Sequence, residues 1–161
     1  MLHGIRPDEL IQLTARLVRI PSLDRAGHRE AAVAELLADL LSKRGFDVCL
    51  QEVAAGRPNL IAVHDSGTPG PTLLFEAHTD VVTEGDPLAW NHPPFQGVVE
   101  GGRIYGRGSC DTKGNLAAAV VAASALKAAG HPRRGRLMLA FPVDEEGMMI
   151  GVKHFIEQGW A

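Results

Sequence analysis

The sequence predicts an α/β fold, a layered mixed sheet with helices on both faces. Three observations carry this. Apolar runs of strand length alternate along the chain with segments of helical periodicity. Two of those runs stop abruptly in polar groups, one at His78, Thr79 and Asp80 and the other at Asp144, Glu145 and Glu146, and α/β folds place their sites at strand ends of this kind. The length of 161 residues, with 45% hydrophobic and 22% charged residues, suits about one domain with a real core.

Taken in order, Pro7 suits a first helical turn, and Leu10, Ile11, Ala15, Leu17 and Val18 recur at helical spacing before Pro21 closes the segment. A stronger helix is predicted over 27–44, with Val33, Leu36, Leu37, Leu40 and Leu41 on one face and Gly45 as its C-terminal cap. Phe46, Val48 and Leu50 alternate as a half-buried strand, and 59–63 is a second strand. The turn-rich HDSGTPGPT is expected to deliver the chain into a buried strand over 72–82 as one arm of a hairpin.

Residues 85–102 read as a long loop rich in Pro and Gly that exposes Trp90 and Phe95, and long ordered loops are usually functional. Residues 103–105 are strand-like. In the following GRGSCDTKG, Gly106, Gly108 and Gly114 bracket Asp111 and permit close backbone approach. A helix of Ala and Val over 116–129 ends at Gly130, RLMLAFPV at 136–143 is a further buried strand, and 147–159 is a final helix.

Composition narrows the partners. A net charge of −3 without a Lys/Arg run gives no field for nucleic acid or an acidic membrane surface. Cys49 and Cys110 form neither a C-x-x-C pair nor a disulfide framework, which fits a reducing, cytoplasmic setting. The N-terminus lacks a secretory pattern. The longest apolar stretch, 116–126, falls short of the roughly 18 residues a membrane span needs. Neither phosphate-binding glycine motif fits, because Lys113 precedes its glycine and Asp111 takes the last glycine position.

What remains is metal chemistry. On an extended backbone His78 and Asp80 share a face, so one ring nitrogen of His78 can bind a metal while Asp80 orients the ring through the other. Imidazole and carboxylate are the donors zinc takes in catalytic sites, and a bridging carboxylate lets two ions sit about 3.5–4 Å apart. The adjacent Glu145 and Glu146 allow one to bind metal while its neighbour takes a proton from water.

Four segments carry a resemblance: HTDVV at 78–82, W-x-x-x-P-F at 90–95, GRGSCDTKG at 106–114 and DEEGMMIG at 144–151, in that order. The chain resembles the dinuclear zinc amidohydrolases and metallopeptidases that include acetylornithine deacetylase, succinyl-diaminopimelate desuccinylase and glutamate carboxypeptidase. The resemblance implies that His78 is the terminal ligand of one ion, Asp111 the bridging carboxylate and Glu146 a ligand of the other ion. Asp80 then orients His78, Glu145 is the general base, and the peptide from Asp111 to Thr112 is cis. Two divalent ions are implied, zinc first, with cobalt or manganese as alternatives.

The implied substrate is a small N-acyl amino acid or short peptide, and full-length members dimerise through a lid domain. Ala77 departs from the family's usual glycine. A further acidic ligand, a late histidine ligand and the lid all belong to positions beyond residue 161. Residues 1–161 are therefore expected to form a single, partial catalytic domain of a metal-dependent amide hydrolase. The alternative is a non-catalytic fragment that binds metal weakly or needs a separately encoded C-terminal half.

Overall fold

Pro7 presets the first turn of helix α1 (Pro7–Val18), Asp8 and Glu9 sit at its positive end and Arg16 lies in its last turn. In the computed structural model, which describes residues 5–23 and 30–160, α1 is followed by helix α2 (Ala31–Lys43). The sequence starts that helix near residue 27, which lies outside the described residues. Strands β1 (Asp47–Ala54) and β2 (Arg57–Asp65) form an antiparallel hairpin with Cys49 opposite Ile61. Strand β3 (Thr72–Glu76), helix α3 (Lys113–Ala128) and strand β6 (Arg136–Phe141) form a crossover unit whose two strands are parallel. Helix α4 (Ile150–Glu157) closes the chain.

The sheet runs β1-β2-β6-β3. This corrects the expected hairpin, since β2 and β3 do not pair and β6 lies between them, antiparallel to β2 and parallel to β3. The physical reason is in the side chains. Leu137, Leu139 and Phe141 are buried on one face of β6 and Met138 and Ala140 on the other, so it is the strand that belongs in the middle. The predicted buried strand over 72–82 is likewise corrected: β3 is a short edge strand, with Leu73 51% and Leu74 41% exposed.

Beyond β3 the chain stays tethered. The Ala77 N–H donates to the Ala140 carbonyl at 3.3 Å, and the Thr79 N–H donates to the Pro142 carbonyl at 3.0 Å. Pro142 has no N–H to return, and regular pairing stops there.

The main core lies on one face of the sheet, where Leu17, Leu37, Leu41, Leu116 and Val120 of α1, α2 and α3 meet Leu60, Leu137, Leu139 and Phe141. On the other face Phe155 of α4 packs with Ile61, Met138 and Ala140. Helices therefore cover both faces, as the sequence predicts. The expected long loop is partly ordered: β4 (Val98–Glu100) pairs with β5 (Arg103–Tyr105), and Pro87–Ala89 form a 3-10 turn capped by Asp86. Trp90 and Phe95 are half-buried, not exposed. The Arg107 guanidinium lies 5.3 Å from the Trp90 ring centre, and the indole N–H donates to the Glu84 carbonyl. Cys49 and Cys110 are free and exposed. Among the described residues no helix is long and apolar enough to cross a membrane.

Candidate metal centre

The crossover explains why distant residues meet. Two parallel neighbours end at the same edge of a sheet, and the helix linking them starts at that edge. His78 lies two residues past the end of β3, Asp111 two residues ahead of α3, and Glu145 and Glu146 just past β6. One donor atom each from His78, Asp111 and Glu146 lie within 4.8 Å of one another. The His78 Nε2 is 3.1 Å from Asp111 Oδ1 and 3.6 Å from Glu145 Oε2. His78 is buried, whereas Asp111, Glu145 and Glu146 are exposed.

Asp80 sits behind the imidazole. Its main-chain carbonyl is 3.1 Å from His78 Nδ1 and its carboxylate 3.4 Å away. The same carboxylate accepts the backbone N–H of Glu145 at 3.1 Å and of Glu146 at 2.9 Å. Asp80 thus ties the strand end carrying His78 to the turn carrying both glutamates, a link the sequence does not display.

The electrostatics follow from this crowding. Burial pushes His78 down, but the Asp80 and Asp111 carboxylates outweigh it and hold the ring up at about 9. Burial pushes Asp80 up, and hydrogen bonds from His78 and from the Glu146 and Glu145 N–H groups bring it below its ordinary value. Glu146 is pushed up by desolvation, opposed by His78 but reinforced by the charges of Asp111, Glu145 and Asp80. Glu76, at the end of β3, is raised by burial and by Glu145. One imidazole with carboxylates is a donor set that zinc accepts, and the three donor atoms lie close enough together to share one ion. The residues present fit a divalent ion.

The loop before α3 is packed from beneath. The Asp111–Thr112 peptide is cis, as the resemblance implies. Lys113 is wholly buried, its ammonium donates to the Ile20 carbonyl, and burial lowers it to about 7. Gly108 has φ +81°, and a Cβ there would meet Val81 Cγ1 at 2.7 Å. These contacts fix the stem from which Asp111 projects. Two clefts flank the acidic turn. One of about 400 Å³ is lined by Asp80, Val82, Asp144 and Glu146, and one of about 220 Å³ by Glu76, Glu145 and Met149.

A crossover sheet that brings an imidazole and carboxylates together at one edge defines the class as an α/β domain with a candidate divalent-metal centre at its sheet edge. The chain belongs to peptidase family M20/M25/M40, whose sequence model matches residues 74–161. It is 43% identical over 129 residues to a succinyl-diaminopimelate desuccinylase of Alkalilimnicola ehrlichii, covering 80% of this chain and 34% of that protein. A desuccinylase of Xanthobacter autotrophicus is 44% identical over 138 residues, covering 84% of this chain and 35% of its own. The chain thus spans about a third of the length of these curated relatives.

Among solved structures, an M20 family metallo-carboxypeptidase of Sulfolobus solfataricus superposes with a TM-score of 0.73 at 25% identity, covering 83% of this chain and 30% of that one. A dipeptidase of Saccharomyces cerevisiae superposes at 0.80 with 21% identity, covering 98% of this chain and 36% of that one, a likeness of fold.

Proposed function

We propose that residues 1–161 form part of the catalytic domain of a metal-dependent amide hydrolase that acts on N-acyl amino acids or short peptides. A succinylated amino acid is the favoured substrate, because the relatives of about 40% identity carry the name desuccinylase. The observation that carries the reading is the meeting of His78, Asp111 and Glu146 donor atoms within 4.8 Å. In this reading the three would hold divalent metal, zinc first, with Asp111 the residue that two ions would share. A divalent ion held there would supply Lewis acidity toward an amide carbonyl and a bound water.

The chain's own groups do the rest. Glu145 lies outside the group of three donors and reaches to 3.6 Å from the His78 Nε2, so its carboxylate faces the same space. It takes a proton from the attacking water as the oxygen bonds to the carbonyl carbon. As the C–N bond breaks, it returns that proton to the amine nitrogen. Asp80 holds the imidazole orientation and, through the Glu145 and Glu146 N–H groups, the direction of both glutamates.

A second reading has its own support. Three donors, with Asp111 counted twice, give each of two ions only two protein ligands, where catalytic zinc sites usually have three. The chain alone then binds metal weakly and becomes competent with a further segment. Calorimetric zinc titration of the chain separates the two, since tight binding of two ions supports a self-sufficient site and weak binding supports the incomplete one. Assay of a competent form against succinylated, acetylated and peptide substrates tests the substrate class. Hydrolysis of none of them would sink the proposal.

A further inference from the structure

A buried cluster of charge lies behind the acidic turn and is not used by the chemistry above. Glu30 at the start of α2 is fully buried, and Arg57 at the start of β2 and Asp144 after β6 are nearly so. The Arg57 Nε donates to both Glu30 oxygens at 3.0 Å. Its Nη2 donates to Glu30 Oε1 at 2.6 Å and to Asp144 Oδ1 at 2.9 Å. One planar guanidinium therefore joins two carboxylates from separate elements, a geometry an ammonium cannot copy.

Asp144 passes that restraint into the turn. Its Oδ2 accepts the Met148 N–H at 2.9 Å, and its main-chain carbonyl accepts the Met149 N–H at 2.8 Å. Its φ of +66° is in the left-handed region, which residues other than glycine adopt uncommonly. Two residues along β2, Asn59 fastens the chain on both sides of the turn: its Oδ1 accepts the Val143 N–H and its Nδ2 donates to the Gly151 carbonyl at 2.8 Å. The turn held at these points carries Glu145 and Glu146.

We propose that Arg57, seated on Glu30, is a positioning residue that fixes the 144–149 turn through Asp144 and so sets where Glu145 and Glu146 point. The importance of that direction rests on the metal reading given above; the restraint on the turn does not. The test is amide hydrogen exchange on the metal-free chain carrying Arg57→Lys, followed by cobalt(II) titration against the unsubstituted chain. Lysine keeps the buried positive charge and loses the fork.

The expected result is exchange at least tenfold faster at Glu145, Glu146, Met148 and Met149, with Leu60 and Leu139 within twofold of the parent. Cobalt affinity falls by roughly 10- to 100-fold, as when a residue supporting a metal ligand is lost. A control variant, Leu37→Ala, loosens the opposite core and keeps the parent's cobalt spectrum. Unchanged turn amides, uniform acceleration through sheet and turn, or faster turn amides with unchanged cobalt affinity would each overturn the proposal. Should Arg57→Lys not fold, Asp144→Asn is read in the same way. If the unsubstituted chain binds no cobalt, the metal reading fails, and the exchange pattern still decides the role of Arg57.

Discussion

Asp80 makes more contacts at this site than its position beside a histidine suggests. The i, i+2 spacing shows that Asp80 can face His78, and it does, yet the carboxylate also accepts the two N–H groups that open the acidic turn. Asp80→Asn puts an amide where those N–H groups need acceptors, so metal affinity is expected to fall by about 10- to 100-fold, measured by calorimetry. The two glutamates separate by a different pair of measurements. Glu145→Gln is expected to keep its metal while kcat in a competent form drops by about two to four orders of magnitude. Glu146→Gln is expected to lose metal. Reversed outcomes in metal analysis and turnover would exchange the two roles.

At the scale of elements, the stem before α3 and the acidic turn are the parts that aim the site. Gly108→Ala introduces a Cβ 2.7 Å from Val81 Cγ1 at a left-handed φ. A loss of roughly 1–3 kcal/mol is expected from urea unfolding, as for an overpacked core position; an unchanged midpoint would show that the stem is slack. The helices and most strands are legible in the sequence because their apolar residues recur with the right period. The order of the sheet is not. Gly and Pro between β2 and β3 announce a turn, and only the greater apolar burial of RLMLAF over TLLFE shows that β6 takes the place between them.

The acidic turn has a similar history. The sequence places the final helix over 147–159, but α4 begins at Ile150, because Asp144 draws the N–H groups of Met148 and Met149 into its own turn first. The hold of Arg57 and Asn59 on the turn has no sequence signal, since their partners there lie 87 and 84–92 residues away. His78, Asp111 and Glu146 were legible because each ends or opens a periodic element, and parallel β3 and β6 carry those ends to one edge.

On the scale of the whole molecule, one sheet with a large core on one face and a smaller one on the other supports a site that is itself mostly exposed. Leu37 is fully buried in the larger core, on the face of the sheet opposite α4. Leu37→Ala should cost about 2–5 kcal/mol in urea unfolding and leave metal affinity at temperatures below the transition near that of the parent. Loss of metal in step with stability would mean that the site has no rigidity of its own. The central claim is that His78, Asp111 and Glu146 together hold a divalent ion, and zinc calorimetry on the parent chain beside the His78→Ala, Asp111→Asn and Glu146→Gln variants tests it most directly. The account predicts saturable binding by the parent that each substitution weakens by at least tenfold. Binding that is absent in the parent, or equal in all four proteins, would contradict it.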